Sequence, residues 1–340
     1  MPPVLREIPQ TKYAATRDGF GLGLVEAAKK NKNIVALSAD LTESTRCLPF
    51  KEKFPERFIQ LGVAEQSMAS IAAGLALGGK IPFATSYAVF SPGRNWEQVR
   101  TNIALQKANV KLVGSHAGLN VGPDGATHQM LEDIALIRVL PHFTILSPCD
   151  AVEAKKATLA AAKIKGPVYI RLAREASPVF TKPSTPFEVG RMQIFRQGSE
   201  ATIIATGPMV YEALRAAEIL KEKHKINAYV LNCHTIKPID KTTIIEAADE
   251  TGAIITVEEH MIAGGLGSAV AEVVVAHHLA PMEFIGVRDK FGESGKPQEL
   301  LEKYGLTAKH IVAATIRAVA RKKKKSRDKT KNVETGTKKT

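Results

Sequence analysis

Phe58-Ile59-Gln60-Leu61-Gly62-Val63-Ala64-Glu65-Gln66-Ser67-Met68 is the stretch on which the fold turns. A short extended run stops at a glycine, and from 64 to 77 small Ala and Gly side chains recur among apolar ones, the pattern of a helix that packs closely. A strand therefore passes directly into a helix. Upstream, 16–30 reads as a helix and 34–38 as a strand; downstream, 81–85, 110–115, 144–147 and 168–172 read as strands, with helices over 95–106 and from 151 onwards. Short apolar runs that alternate with helices form a mostly parallel sheet covered on both faces. Such a sheet places ligands at the carboxyl ends of its strands.

The alternation pauses at Ser177-Pro178-Val179-Phe180-Thr181-Lys182-Pro183-Ser184-Thr185-Pro186, where three prolines disfavour helix and central strand alike. It then resumes, with strands at 201–206, 227–231, 253–257 and 282–287 and helices at 210–223, 241–249 and 266–276. The expectation is an α/β protein of two doubly wound domains with mostly parallel sheets. Its boundaries are an N-terminal arm (1–13), a first domain (14–180), a linker (181–190), a smaller second domain (191–320) and a basic, disordered tail (321–340).

Composition agrees with an enzyme-like body. The chain has 340 residues, 44% hydrophobic and 24% charged, enough to bury two cores. No apolar run approaches the ~20 residues of a membrane span, and the first residues lack a signal peptide's apolar core, so a cytoplasmic protein is expected. Cys47, Cys149 and Cys233 are widely spaced, which argues against a disulfide framework or a thiolate metal site. Of the net charge of +13, +8 falls within 321–340, leaving a mildly basic body for which neither nucleic acid nor a membrane is an expected partner.

Three groups of residues carry chemistry. Glu65 is an acid inside an apolar, small-residue segment: either a first-turn carboxylate facing the helix dipole, or a buried acid that shares a proton with a ligand nitrogen. Tyr87, Phe90 and Arg94 follow the strand ending near 85, where a flat heteroaromatic ring could stack on the aromatics, although core packing is the commoner explanation of such a pair. The loop Gly114-Ser115-His116-Ala117-Gly118-Leu119-Asn120-Val121-Gly122-Pro123-Asp124-Gly125-Ala126-Thr127-His128-Gln129 joins two imidazoles and a carboxylate on a structured connection, suited to proton transfer or hydroxyl recognition. Two His and one Asp without a further ligand make a poor metal site. The glycine clusters at 19–23 and 264–267 do not complete a dinucleotide fingerprint and read as close-packed helix starts.

With Ser38-Ala39-Asp40-Leu41-Thr42, Gly62-Val63-Ala64-Glu65-Gln66 and the loop through Gln129 in view, the chain resembles the C-terminal half of transketolase and, more distantly, 1-deoxy-D-xylulose-5-phosphate synthase. The likeness runs from about 14 to 320, over the family's pyrimidine-binding and C-terminal domains. It implies thiamine diphosphate as cofactor. Glu65 then matches the acid that bonds N1′ of the aminopyrimidine, favouring the imino tautomer that removes the thiazolium C2 proton. Tyr87 and Phe90 match the aromatics around that ring, Asp40 an acid near the cofactor, and Arg94 an arginine near the active site. His116, Asp124 and His128 match groups that bind donor hydroxyls and assist proton movements. Arg17, Ser44 and Arg174 fall where the family holds the substrate phosphate. Val257-Glu258-Glu259-His260 resembles a segment near the family's subunit interface, with no catalytic role.

The chain also departs from the full-length family. It has no Gly-Asp-Gly followed by an Asn pair, which is how these enzymes hold Mg²⁺ and the diphosphate. The resemblance therefore implies the C-terminal subunit of a split transketolase, transferring a two-carbon ketol unit from a ketose phosphate to an aldose phosphate. A separate N-terminal subunit would hold Mg²⁺ and the diphosphate. Self-association is expected too, giving with the N-terminal subunit a heterotetramer of two copies of each. The alternatives are a subunit of a synthase-like thiamine-diphosphate enzyme, or a non-catalytic regulatory subunit.

Overall fold

The computed structural model describes residues 12–336. The expected N-terminal arm, apart from Lys12 and Tyr13, and the last four residues of the expected tail lie outside the described residues. The first sheet has seven strands in the order Thr235–Lys237, Thr144–Leu146, Val168–Arg171, Lys111–Ser115, Ile81–Tyr87, Ile34–Ser38 and Phe58–Gln60. All its neighbours are parallel except Thr235–Lys237, which pairs antiparallel with Thr144–Leu146. That edge strand belongs to the second half of the sequence, so the chain returns to the first sheet after leaving it. Its three residues carry too little pattern to be read in advance.

Helix Thr16–Lys30 lies against Ala151–Ala161 at the range set by its glycines. A Cβ on Gly19 would stand 1.9 Å from the Ala151 carbonyl oxygen, and one on Gly23 2.9 Å from the Lys155 carbonyl. The glycines are there for contact. Asp150 caps the second helix through the Glu153 N–H (2.9 Å) and also accepts the Phe180 and Thr181 N–H groups (3.0 and 2.7 Å), which ties the exit from the first domain to its own sheet. The helix expected over 95–106 is shorter and wider. It is α-helical at Trp96–Gln98 and a π-helix at Val99–Ala104, where Leu105 N–H reaches back five residues to the Arg100 carbonyl (3.0 Å).

The second sheet runs Met282–Val287, Ile254–Met261, Ala201–Ala205, Ala228–Asn232 and Gln193–Arg196, parallel but for the last strand. At Gly264-Gly265-Leu266-Gly267 the start of helix Leu266–His277 is filled by the chain itself: the Glu258 carboxylate accepts the Leu266 and Gly267 N–H groups, both at 2.7 Å. Burial nonetheless pushes that carboxyl up to about 7. The last helix, Ala308–Gly336, takes in the start of the basic tail expected from 321. Arg321 reaches Glu283 at 2.7 Å and Lys322 the Thr251 carbonyl at 2.6 Å, so the basic run begins anchored to the second domain.

Candidate active site

Five parallel strands end on one side of the first sheet, and each delivers part of a single cluster. Ser38 leads to Asp40 and Ser44, Gln60 to Glu65, Ile81–Tyr87 to Tyr87, Phe90 and Arg94, Ser115 to His116, and Arg171 to Arg174. Parallel pairing puts all these carboxyl ends together because every strand enters from the same edge.

Glu65 opens helix Glu65–Leu77 and its side chain is 1% exposed. Its Oε2 accepts from the Arg94 guanidinium at 2.8 Å, the Ser86 hydroxyl stands 3.4 Å from Oε1, and the Asn95 amide donates to its main-chain carbonyl at 3.0 Å. Glu65 is thus a buried acid in the first turn of a helix, held from both sides, an arrangement that fits either reading of it. Arg94 also lies over the Phe90 ring, 4.8 Å from its centroid.

The rings form a continuous surface beside that carboxylate. Tyr87 and Phe90 are near-parallel with centroids 6.0 Å apart, His116 stacks on Tyr87 at 3.7 Å, and His128 meets both aromatics edge-on. Tyr87 and Ser115 are partners across the sheet, which brings the next residue, His116, onto the tyrosine face. His116 adopts a left-handed φ of 56°. Its Nδ1 is 2.9 Å from the Ser115 hydroxyl, and its Nε2 is 3.4 Å from the Arg17 guanidinium. A guanidinium can only donate, so Nε2 faces it with a lone pair and Nδ1 carries the proton. Burial, followed by the charges of Arg17, Arg174 and Arg46, pushes this imidazole down to about 2. It is neutral at physiological pH.

Arg17 donates to the Ser44 carbonyl at 2.9 Å, so Ser44 enters through its main chain. Burial and the neighbouring Arg46 and Arg174 lower the Arg17 guanidinium from its ordinary value. Arg174 donates to the Val121 carbonyl and stands 3.5 Å from Asp124. His128 lies beside the Thr127 hydroxyl at 2.9 Å. Asp40 is turned to the adjacent strand, accepting from the Gln60 amide at 2.9 Å, and is exposed. Glu65 is thus joined through Arg94 to the rings of Phe90, Tyr87, His116 and His128, and Arg17 meets that set at His116, while Asp40 bonds to Gln60.

Arg46, bonded to Asp18 at 2.6 Å, enters only through its charge on Arg17 and His116. Ser86, Asn95, Ser115 and Asn120 are further residues that the sequence reading does not single out. Each of these four acts through a bond to a residue that it does, and a single polar side chain in a buried strand or turn carries no signal of that. Among the described residues no group of three His, Cys, Asp or Glu side chains is arranged to hold a metal ion, and no helix is long and apolar enough to cross a membrane.

Comparison with known proteins places this geometry. Residues 12–179 match the transketolase pyrimidine-binding domain, and 190–311 match the transketolase C-terminal domain. A Methanocaldococcus jannaschii protein, named provisionally as a transketolase C-terminal section, is 47% identical over 302 residues, 88% of this chain and 94% of that one. The 6-deoxy-6-sulfo-D-fructose transketolase subunit of a Clostridium species is 42% identical over 306 residues, 90% of this chain and 95% of its own length. A solved structure described as a split gene transketolase, inactive β4 tetramer, superposes with a TM-score of 0.85 at 47% identity, covering 90% of this chain and 98% of that one. The chain belongs to the transketolase family, of which it comprises the pyrimidine-binding and C-terminal domains.

Proposed function

We propose that this chain is the C-terminal subunit of a thiamine-diphosphate-dependent transketolase, moving a two-carbon ketol unit from a ketose phosphate to an aldose phosphate. It does so only when joined to a second subunit that holds Mg²⁺ and the diphosphate. The observation that carries the reading is the Glu65 carboxylate, buried and held by Arg94 at 2.8 Å, opening beside the Tyr87 and Phe90 rings. An acid edge next to aromatic faces fits an aminopyrimidine: one oxygen shares a proton with a ring nitrogen while the rings exclude water. Bound there, the cofactor would supply a nucleophilic carbon for the transfer.

The chain's own side chains do the rest. Glu65 holds the proton at the carboxyl oxygen facing the ring nitrogen, and Arg94 and Ser86 fix its orientation. His116, neutral and with Nε2 unprotonated, accepts a hydrogen from a donor hydroxyl in place of its long 3.4 Å contact with Arg17, and His128 and Asp124 bind further hydroxyls. Arg17 and Arg174 hold the substrate phosphate, with Ser44 setting the angle of Arg17 through its carbonyl. Asp40, held by the Gln60 amide at 2.9 Å, would act on the cofactor only from the rim of the site.

A separate subunit is supported by the chemistry of the donor set. A diphosphate with Mg²⁺ needs clustered hard oxygen ligands and free N–H donors. The described residues offer no such cluster, and the glycine-rich helix start is already taken by Glu258. The β4 relative, described as inactive, is in keeping with a chain that associates with itself and needs another partner to turn over.

The test is reconstitution with a chain that carries the missing Gly-Asp-Gly motif. Ketol transfer should appear only in the mixture. Glu65→Gln should then lower it by several powers of ten, at ~1.4 kcal/mol of barrier for each, because an amide cannot share the proton. Wild-type turnover by that variant would remove Glu65 from the chemistry, and pyruvate decarboxylation without ketose activity would favour the synthase-like alternative.

A further inference from the structure

Glu259 lies on strand Ile254–Met261 of the second domain, buried at 3% exposure, yet it faces the active-site loop. Both of its oxygens are engaged by one residue: Oε1 accepts the Asn120 backbone N–H at 2.6 Å, and Oε2 accepts the Asn120 side-chain amide at 3.1 Å. The other end of that amide, Oδ1, accepts the backbone N–H of Arg174 at 3.1 Å. The carboxylate accepts only, so it fixes which way the Asn120 amide points, and that orientation alone leaves an acceptor for Arg174.

The carboxylate is itself held firmly. Its main-chain carbonyl accepts from Arg171 at 2.8 Å, and Arg171 pairs with Asp133 at 2.8 Å, an oxygen that also takes the Tyr169 hydroxyl. A Cβ on Gly118, whose φ is +92°, would come within 2.5 Å of Glu259 Oε1, so the loop is cut to admit this side chain. Burial raises the carboxyl above its ordinary value, while Arg171 and the Asn120 donors pull it down. Burying an acid is costly where an apolar side chain would fill the same space. What the acid adds here is direction.

We propose that Glu259, acting through Asn120, is a positioning residue that sets where Arg174 meets the substrate phosphate, so that the second domain shapes phosphate recognition in the first. This deepens the reading of Arg174 given above and rests on it. Arg174 reaches the Val121 carbonyl and Asp124 from the segment that Asn120 pins, so its main chain and its guanidinium are both tied to the same loop.

The test uses the enzyme reconstituted with its diphosphate-binding subunit, and two donors: a ketose phosphate and an unphosphorylated ketol. Glu259→Gln keeps the volume but turns one acceptor into a donor that faces a donor of Asn120. Asn120→Ala removes the link from the loop side and serves as the measure if Glu259→Gln lowers the melting temperature or fails to assemble. Each should raise KM for the phosphorylated donor roughly tenfold more than for the unphosphorylated one, with kcat changed by about twofold or less. In an Arg174→Ala background the same substitutions should add no further discrimination. Equal losses on both donors, or full additivity with Arg174→Ala, would overturn the positioning role and leave the transferase reading standing. Wild-type enzyme that turns over neither donor would overturn both.

Discussion

At His116 a single side chain shows how burial and charge act together. The imidazole is pushed down to about 2 because it is desolvated and then faces Arg17, Arg174 and Arg46. Below about pH 6.5 the unfolded chain takes up a proton at this position that the folded chain refuses, so folding stability falls as the pH drops, by up to ~1.4 kcal/mol per pH unit. His234 and His260, both lowered to about 4, push the same way, while Glu153 and Glu258, raised to about 7, push the other. The comparison that isolates His116 is therefore between wild type and His116→Asn. Denaturant unfolding at pH 7 and pH 5 should show the variant losing about 1–2 kcal/mol less between the two pH values. An identical loss in both proteins would mean that His116 titrates in the folded state. Glu65 was legible as a residue because a charge in an apolar, small-residue run has few explanations. Ser86 and Asn95, which hold it, were not, because a serine in a buried strand and an asparagine before a helix fit many uses.

Among the elements, glycine separates close contact from simple permissiveness. Gly19 faces the Ala151 carbonyl with no room for a Cβ, while Gly74, in the middle of Glu65–Leu77, has nothing within 4 Å. Gly19→Ala must push two helices apart and should cost about 2–4 kcal/mol. Gly74→Ala meets no obstacle and should stabilise the isolated chain by about 0.5–1 kcal/mol through helix propensity. Thermal melts of the two variants check the contrast, and similar melting temperatures for both would contradict the helix packing. The strand–helix order of both domains was readable because parallel strands buried on both faces stay apolar throughout, and each is followed by a helix of different period. Ser177–Val179 sits in the proline-rich stretch and Thr235–Lys237 carries a single apolar residue, so neither of these three-residue strands shows a run, whereas Thr144–Leu146 does. The π-helical turns at Val99–Ala104 depend on a bonding pattern that sequence spacing does not encode.

Over the whole molecule the two sheets share material. Thr235–Lys237 completes the edge of the first sheet, Glu153 of the first domain accepts from Asn232 of the second at 2.7 Å, and one apolar cluster runs from Met68, Ile103 and Tyr169 to Leu231, Ile244 and Val270. Domains joined this way should unfold together rather than in sequence. The single tryptophan, Trp96, reports on the first domain, where its ring nitrogen donates to the Leu136 carbonyl at 2.8 Å, while far-ultraviolet circular dichroism reports on both. Ile236, 1% exposed on the shared edge strand, lies in the second half of the sequence. Ile236→Ala should cost about 2–4 kcal/mol, by the transfer and cavity contributions together. If the sheets form one cooperative unit, the substitution moves the tryptophan and dichroism transitions to the same lower denaturant midpoint. A dichroism curve that splits into two steps, with the tryptophan transition left at its original midpoint, would show instead that the first sheet stands without its borrowed strand.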